Sequence, residues 1–386
     1  MKIETYSPTI RRKEMDAVLT AMVEDKIGPG EQAKFLIQTA RERIHFDYCL
    51  ALRSPAIALF LALKSLNLEK GQKVIVSALS PLYYGRVIED LGLAPVYCDV
   101  SSSTCCMSRD TVEKAIASGT GSADTRCIIL HHTLGYVPDV AAIAELGIPI
   151  IEDCSQSYGT RLKSDTESDE ENIKSPGEKT GDENPIIKKT SADTNTGEGS
   201  SAAKGIPLGN FGIFTILGLE ERDMLTSGGG ALLYSVNRRD AAVLRNLGDL
   251  PPEFGLPDMN AAMAVVQFRE AAKNLLKRRE IARLYGQSAL RTRHKRFVQF
   301  DDLEYNNYAF PLILETGMKD VKAYARRKDI AVENAFENTL AGIGIVTSVQ
   351  CPEAYSLSLR TALFPIYPRL GASDAGKVAK LILTLP

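Results

Sequence analysis

The chain has 386 residues, of which 44% are hydrophobic and 24% charged, and 46 basic against 48 acidic side chains give a net charge of -2. A length of this order favours about two domains around a substantial core. The near-neutral balance excludes a global field that would draw the chain to nucleic acid or to an anionic membrane, so neither partner is expected.

The N-terminus MKIETYSPTIRRKEMD lacks the basic-then-apolar pattern of a secretory signal, and no apolar run is long enough to span a bilayer. A cytoplasmic location is the expectation. Seven cysteines without regular spacing, several inside apolar strands, read as small buried hydrophobes. No CxxC pair and only four histidines argue against a metal site. The basic runs KRRE (277–280) and RTRHKR (291–296) read as a solvated helix face and a loop.

FDYCLAL (46–52) predicts a strand leading into the apolar helix PAIALFLALKSLNL (55–68), whose proline suits the first turn. KVIVSAL (73–79), APVYCDV (94–100), RCIILHH (126–132) and IPIIEDC (148–154) are continuous β-rich runs, the pattern of strands covered on both faces. Helical stretches such as RDTVEKAIAS (109–118) and VAAIAEL (140–146) lie between them, so βαβ units and a mainly parallel sheet are expected.

From 161 to 204 the chain is rich in Ser, Thr, Asp, Glu, Lys and Gly, and it is predicted to be a disordered insertion. Order resumes at GIPLGNFGIFTIL, and a long helix is predicted over about 258–285. The last hundred or so residues read as α+β: YAFPLILE (308–315) as a strand, VKAYARRKD (321–329) and ASDAGKVAKLILTL (372–385) as helices. The division expected is a large α/β domain over 1–270 and a smaller α+β domain over 271–386.

Several segments in register resemble the DegT/DnrJ/StrS family of sugar aminotransferases, which are fold-type-I enzymes of pyridoxal phosphate (PLP). IGPGEQAKFLIQTARERI (27–44) is similar to the family's TGP-x-V-x-x-F-E segment, and IPIIEDCSQSYGT (148–160) to VIEDAAQAHGA. GLPDMNAAMAVVQF (255–268) resembles RMSDIQAALGLVQL, KRREIARLYGQSAL (277–290) resembles RRR-x-IA-x-x-Y, and TALFPIYPRL (361–370) resembles LSLPLYPGL. The resemblance covers essentially the whole chain apart from the insertion. It implies a fold-type-I architecture, a two-fold dimer with itself or with an active paralogue, and a nucleotide-sugar ligand. Such enzymes need a lysine that forms a Schiff base with the cofactor and then moves protons as a general base.

The resemblance assigns Asp153 to the cofactor's ring nitrogen, where a carboxylate favours the protonated pyridinium. It assigns Gln156 to the neighbourhood of the ring hydroxyl, and Ser54 and Thr215 to the phosphate. Other matched positions have changed. RSPAIAL (53–59) stands where the family reads NSGTAAL, so Pro55 lacks an N–H and Ala56 lacks a hydroxyl for the phosphate. SALSP (77–81) puts Pro81 at the place of a stacking aromatic; either Tyr83 or Tyr84 turns into that gap or, the favoured expectation, both pack on the helix that follows. Glu253 falls near an asparagine that the family donates to the phosphate across the dimer. Counting along FGIFTILGLEERDMLTSGGGALL (211–233) places Glu220 or Arg222 at the lysine, and no lysine occurs between Lys204 and Lys273. Neither replacement can form a Schiff base. The expectation is therefore a homologue that is non-catalytic or catalytically altered. The alternatives are an active PLP-dependent transaminase of a nucleotide-linked keto-sugar and a sugar-nucleotide binding module without PLP.

Overall fold

The computed structural model describes residues 2–118, 124–163 and 209–386. The insertion expected at 161–204 lies outside the described residues except for its first three positions. Helices α1 (Arg12–Val23) and α2 (Glu31–Ile44) precede an alternation of β1 (Tyr48–Leu52), α3 (Pro55–Ser65), β2 (Lys73–Ser77), α4 (Tyr83–Asp90), β3 (Ala94–Cys98), α5 (Arg109–Ser118), β4 (Thr125–His131), α6 (Val140–Ala144) and β5 (Ile150–Asp153). The short β6 (Arg161–Leu162) comes next, and β7 (Phe214–Gly218) and β8 (Ala231–Ser235) follow after the break.

Seven of these strands form one sheet in the order β1-β8-β7-β5-β4-β2-β3. The pairs β2–β3, β2–β4, β4–β5 and β5–β7 are parallel, while β8 runs antiparallel to both β7 and β1. Continuous apolar strands are what this arrangement requires, because alternate side chains enter cores on opposite faces. Ile151, Phe214 and Ile216 enter one core, and Leu130, Ile150 and Leu217 enter cores on the other face.

Helix α3 is apolar almost all round because most of it lies inside the first of these cores, with Ala58, Leu59, Leu61, Ala62 and Leu63 buried and only Lys64 exposed. Helix α2 is capped from far along the chain. Asp258 Oδ1 accepts from Ala33 N at 3.0 Å, while Asp258 N donates to Gly28 O at 2.8 Å. Two segments that resemble family motifs, around 27–31 and 255–260, are thus one structural joint, and Asp258 is 2% exposed within it.

The helix Asp258–Ala289 has 32 residues and runs from one core to another. Ala261, Val265 and Phe268 pack beneath the large sheet, whereas Ile281, Tyr285 and Ala289 enter a separate core. The residue 270 boundary expected from the sequence falls inside this helix. Strand β9 (Leu303–Glu304) pairs with β6, and β10 (Phe310–Ile313), β11 (Glu333–Asn334) and β12 (Thr361–Phe364) form a small sheet in the order β10-β12-β11. The terminal helix Ala372–Leu383 closes its core. The chain's N-terminal end joins it too, since Ile3 bridges to Ile330. Among the described residues, no helix is long and apolar enough to cross a membrane.

Candidate functional site

Strands β2, β4 and β5 end at the same edge of the large sheet, and a cleft of ≈ 530 Å³ opens there, lined by Pro81, His131, Gln156, Arg222, Asp223 and Tyr308 among others. Parallel sheets place ligands at this edge, where the order of the strands reverses. Asp153 is the last residue of β5 and is 1% exposed. Its Oδ1 accepts from Ser155 N at 2.9 Å and from the Ser155 hydroxyl at 2.5 Å. Its Oδ2 accepts from Tyr84 Oη and, at 3.3 Å, from Tyr83 Oη.

The tyrosines do not simply pack on their own helix, as the sequence suggests. They occupy the first turn of α4, which aims both hydroxyls back across the strand ends. Burial, reinforced by the charge of Asp153, pushes both phenols well above their ordinary pKa, so both remain protonated donors. A carboxylate offers about four lone-pair sites. Four donors from this chain fill them. His131 stands edge-on to Tyr84, with ring centroids 6.1 Å apart. Burial lowers its pKa to about 4, which keeps the imidazole neutral.

The turn after β7 is built around a residue that counting along the sequence passes over. Asp223 Oδ2 accepts from Glu220 N at 2.9 Å, and Asp223 N returns a bond to Glu220 O at 3.1 Å. Met224 N donates to Ser155 O at 3.2 Å, tying the turn to the segment after Asp153. Gly218 is required here, because a Cβ at that position would meet the Asp223 carboxylate and the Ser155 hydroxyl. That glycine, five residues ahead of an aspartate, is the sequence signal for the close approach. Burial raises the Asp223 pKa to about 8, with the Asp153 charge adding to the rise against the bond from Glu220 N. Of the two positions matched to the lysine, Glu220 is exposed, and Arg222 Nη1 reaches Glu333 Oε2 of the small sheet at 2.7 Å. The Arg222 guanidinium also lies 5.5 Å from the centre of the Tyr6 ring.

Of the remaining residues singled out in the sequence, Gln156 and Pro81 share the cleft with Arg222, whereas Ser54, Thr215 and Glu253 are not among the residues lining it. Gln156 lines the cleft, and its Oε1 accepts from Leu134 N at 2.7 Å. Ser54 is the N-cap of α3, accepting from Ile57 N at 3.3 Å. Thr215 pairs with Glu152 in the β5–β7 register, while Asp153 pairs with Ile216. Thr215 is therefore on the opposite face of the sheet from Asp153, and its hydroxyl donates to Gly209 O at 2.6 Å. Pro81 is bridged to Thr339. Glu253 is exposed, and its carbonyl accepts from Arg53 Nε of the same chain at 2.8 Å.

The model of the DegT/DnrJ/EryC1/StrS aminotransferase family matches residues 8–175 and 220–383. The chain belongs to that family. The break in the match, 176–219, includes β7 and stops at the turn described above. Over 120 residues the chain is 32% identical to L-glutamine:2-deoxy-scyllo-inosose aminotransferase of Streptomyces fradiae, covering 30% of this chain and 27% of that protein. Over 314 residues it is 23% identical to dTDP-4-dehydro-2,3,6-trideoxy-D-glucose 4-aminotransferase of Saccharopolyspora spinosa, covering 73% of this chain and 70% of that one. The chain thus spans about a third or less of the first curated relatives it matches. Among solved structures, the aminotransferase TlmJ of Streptoalloteichus hindustanus superposes with a TM-score of 0.78 at 19% identity, covering 98% and 97% of the two chains. A protein of Streptococcus pneumoniae assigned as a sugar aminotransferase, in its PLP form, gives 0.79 at 17% identity over 100% and 98%.

Family membership and the PLP form of that neighbour suggest PLP as the group to test against this DegT-family cleft. The residues present do not fit it in the manner that the resemblance implies. The carboxylate assigned to the ring nitrogen is already saturated by hydroxyl and amide donors. The 219–224 turn offers no amine, and the two residues assigned to the phosphate are separated by the sheet.

Proposed function

We propose that this DegT-family member does not carry out PLP-dependent transamination and has kept the fold for binding or for pairing with another subunit. The observation that carries this reading is the Asp153 carboxylate, whose accepting positions are filled by Tyr83, Tyr84 and Ser155. A pyridinium N–H has no free lone pair to meet there. The ≈ 530 Å³ cleft, lined by His131, Gln156 and Asp223, supports retention of a ligand site without the cofactor. A nucleotide-linked sugar is the ligand class proposed, and a dimer, with itself or with an active paralogue, is the assembly proposed.

The test uses purified full-length chain mixed with an equimolar amount of PLP. Its absorbance is recorded, and the sample is then reduced with borohydride and digested for peptide mapping. The expected outcome is the spectrum of free PLP and no stoichiometric pyridoxyl-lysine. A Schiff-base band together with one labelled lysine, accompanied by amino transfer to a keto-sugar, would instead establish an active transaminase.

A further inference from the structure

The pleat of the sheet separates two adjacent histidines. His131 pairs with Asp153 and faces the cleft, whereas Leu130 pairs with Glu152 and enters the core on the other side. His132, just past the end of β4, meets Glu152 there, and both side chains are 0% exposed. His132 Nδ1 lies 2.7 Å from the Ser157 hydroxyl and 3.6 Å from Cys154 Sγ. Glu152 Oε1 accepts from the backbone N–H groups of Phe211 and Gly212, where the described chain resumes after its break.

One atom of each pair is thus held, and the other is not. His132 Nε2 and Glu152 Oε2 face each other at 3.4 Å, yet neither has a hydrogen-bond partner among the described residues. Fully buried polar groups are rarely left this way. The thiol of Cys154, 3% exposed, completes a trio whose ligand atoms all lie within 4.8 Å of one another.

We propose that His132, Glu152 and Cys154 form a divalent-metal site of the zinc class on the face of the sheet opposite the cleft. Imidazole, carboxylate and thiolate are the donor set that zinc accepts. Zinc bonds of about 2.0–2.2 Å at a near-tetrahedral angle separate the nitrogen and oxygen donors by roughly 3.3–3.5 Å. The observed 3.4 Å agrees. The supporting contacts have the form of an outer shell: Ser157 fixes the imidazole through its other nitrogen, and two N–H groups fix the carboxylate through its other oxygen. A dication here offsets the charges of the carboxylate and of the thiolate that forms when Cys154 gives up its proton. Cys154 borders a pocket of ≈ 220 Å³ that is lined also by the exposed Arg43 and Arg269 and by the buried Tyr234. Nothing in the spacing of 132, 152 and 154 resembles a metal motif, and only the fold brings the three together.

The full chain, stripped with chelator and checked by circular dichroism, is titrated with cobalt(II) alone. The expected result is a sulfur-to-cobalt charge-transfer band and tetrahedral ligand-field bands that saturate near one equivalent and are displaced by zinc. Cys154→Ala is expected to abolish the charge-transfer band. Glu152→Gln preserves the acceptor for Phe211 and Gly212 and is expected to weaken affinity at least about tenfold. Absence of a saturable band in the wild-type chain overturns the proposal, whatever the variants do. So does a band that persists in Cys154→Ala, because six other cysteines would then supply the sulfur.

Discussion

Tyr84→Phe isolates the contact on which the reading of the cleft depends. The substitution keeps the ring against Tyr83, 4.9 Å away, and against His131, and it removes only the hydroxyl from Asp153 Oδ2. Tyr84 is 0% and Asp153 1% exposed, so water has little access to replace the lost donor. A buried hydrogen bond to a charged group contributes about 1.5–3 kcal/mol, and that is the destabilisation expected. Tyr83→Phe removes the longer 3.3 Å bond from a half-buried ring, and its cost is expected to stay below about 1 kcal/mol. The chain has no tryptophan and 14 tyrosines, so urea unfolding is best followed by far-UV circular dichroism, with tyrosine fluorescence as the second probe. A double-mutant cycle with Asp153→Asn should return a coupling of at least about 1 kcal/mol. A Tyr84→Phe variant within about 0.5 kcal/mol of wild type, or one less affected than Tyr83→Phe, would refute the reasoning.

Ser54→Ala removes the N-cap of α3 and should cost about 0.5–2 kcal/mol in the same urea assay, with no change in the PLP absorbance spectrum. Asp223 has a folded pKa of about 8 against an ordinary 3.8, so the native state keeps its proton while the unfolded chain loses it. Stability should therefore fall as pH rises from about 4 to about 8, and then level off. Asp223→Asn keeps an acceptor for Glu220 N and should gain thermal stability relative to wild type across that window; a constant difference in melting temperature from pH 5 to 8 would count against it. Glu220→Lys places an amine at an exposed position while Asp153 remains saturated, so the variant should gain no Schiff-base band with equimolar PLP. Appearance of that band would count against saturation of Asp153 as the barrier to holding PLP at this turn.

The large sheet was legible because its strands are short, continuous, apolar runs, and covered parallel strands need no other signal. Asp258 was visible as part of a motif resemblance, but its capping of α2 joins residues 225 apart and emerges only on folding. The contacts between Tyr83 or Tyr84 and Asp153 span 70 and 69 residues, and local pattern favoured packing on α4 instead. Thr215 was assigned by its place in a motif, whereas its face depends on the register that sets it beside Glu152 rather than Asp153. Counting forward from Phe214 reaches Glu220 and counting back from Gly230 reaches Arg222, two residues apart, because this turn carries a small insertion relative to the family text. Neither position is Asp223, whose carboxylate holds the turn through Glu220 N.

The most direct measurement is a crystal structure of the chain grown with PLP in large excess. The expected density shows the Tyr83 and Tyr84 hydroxyls on the Asp153 carboxylate, with no pyridine ring between them and β5. A ring with its nitrogen against Asp153 and both tyrosines swung aside would contradict that result, and with it the claim that this chain fills the cofactor's place with its own side chains.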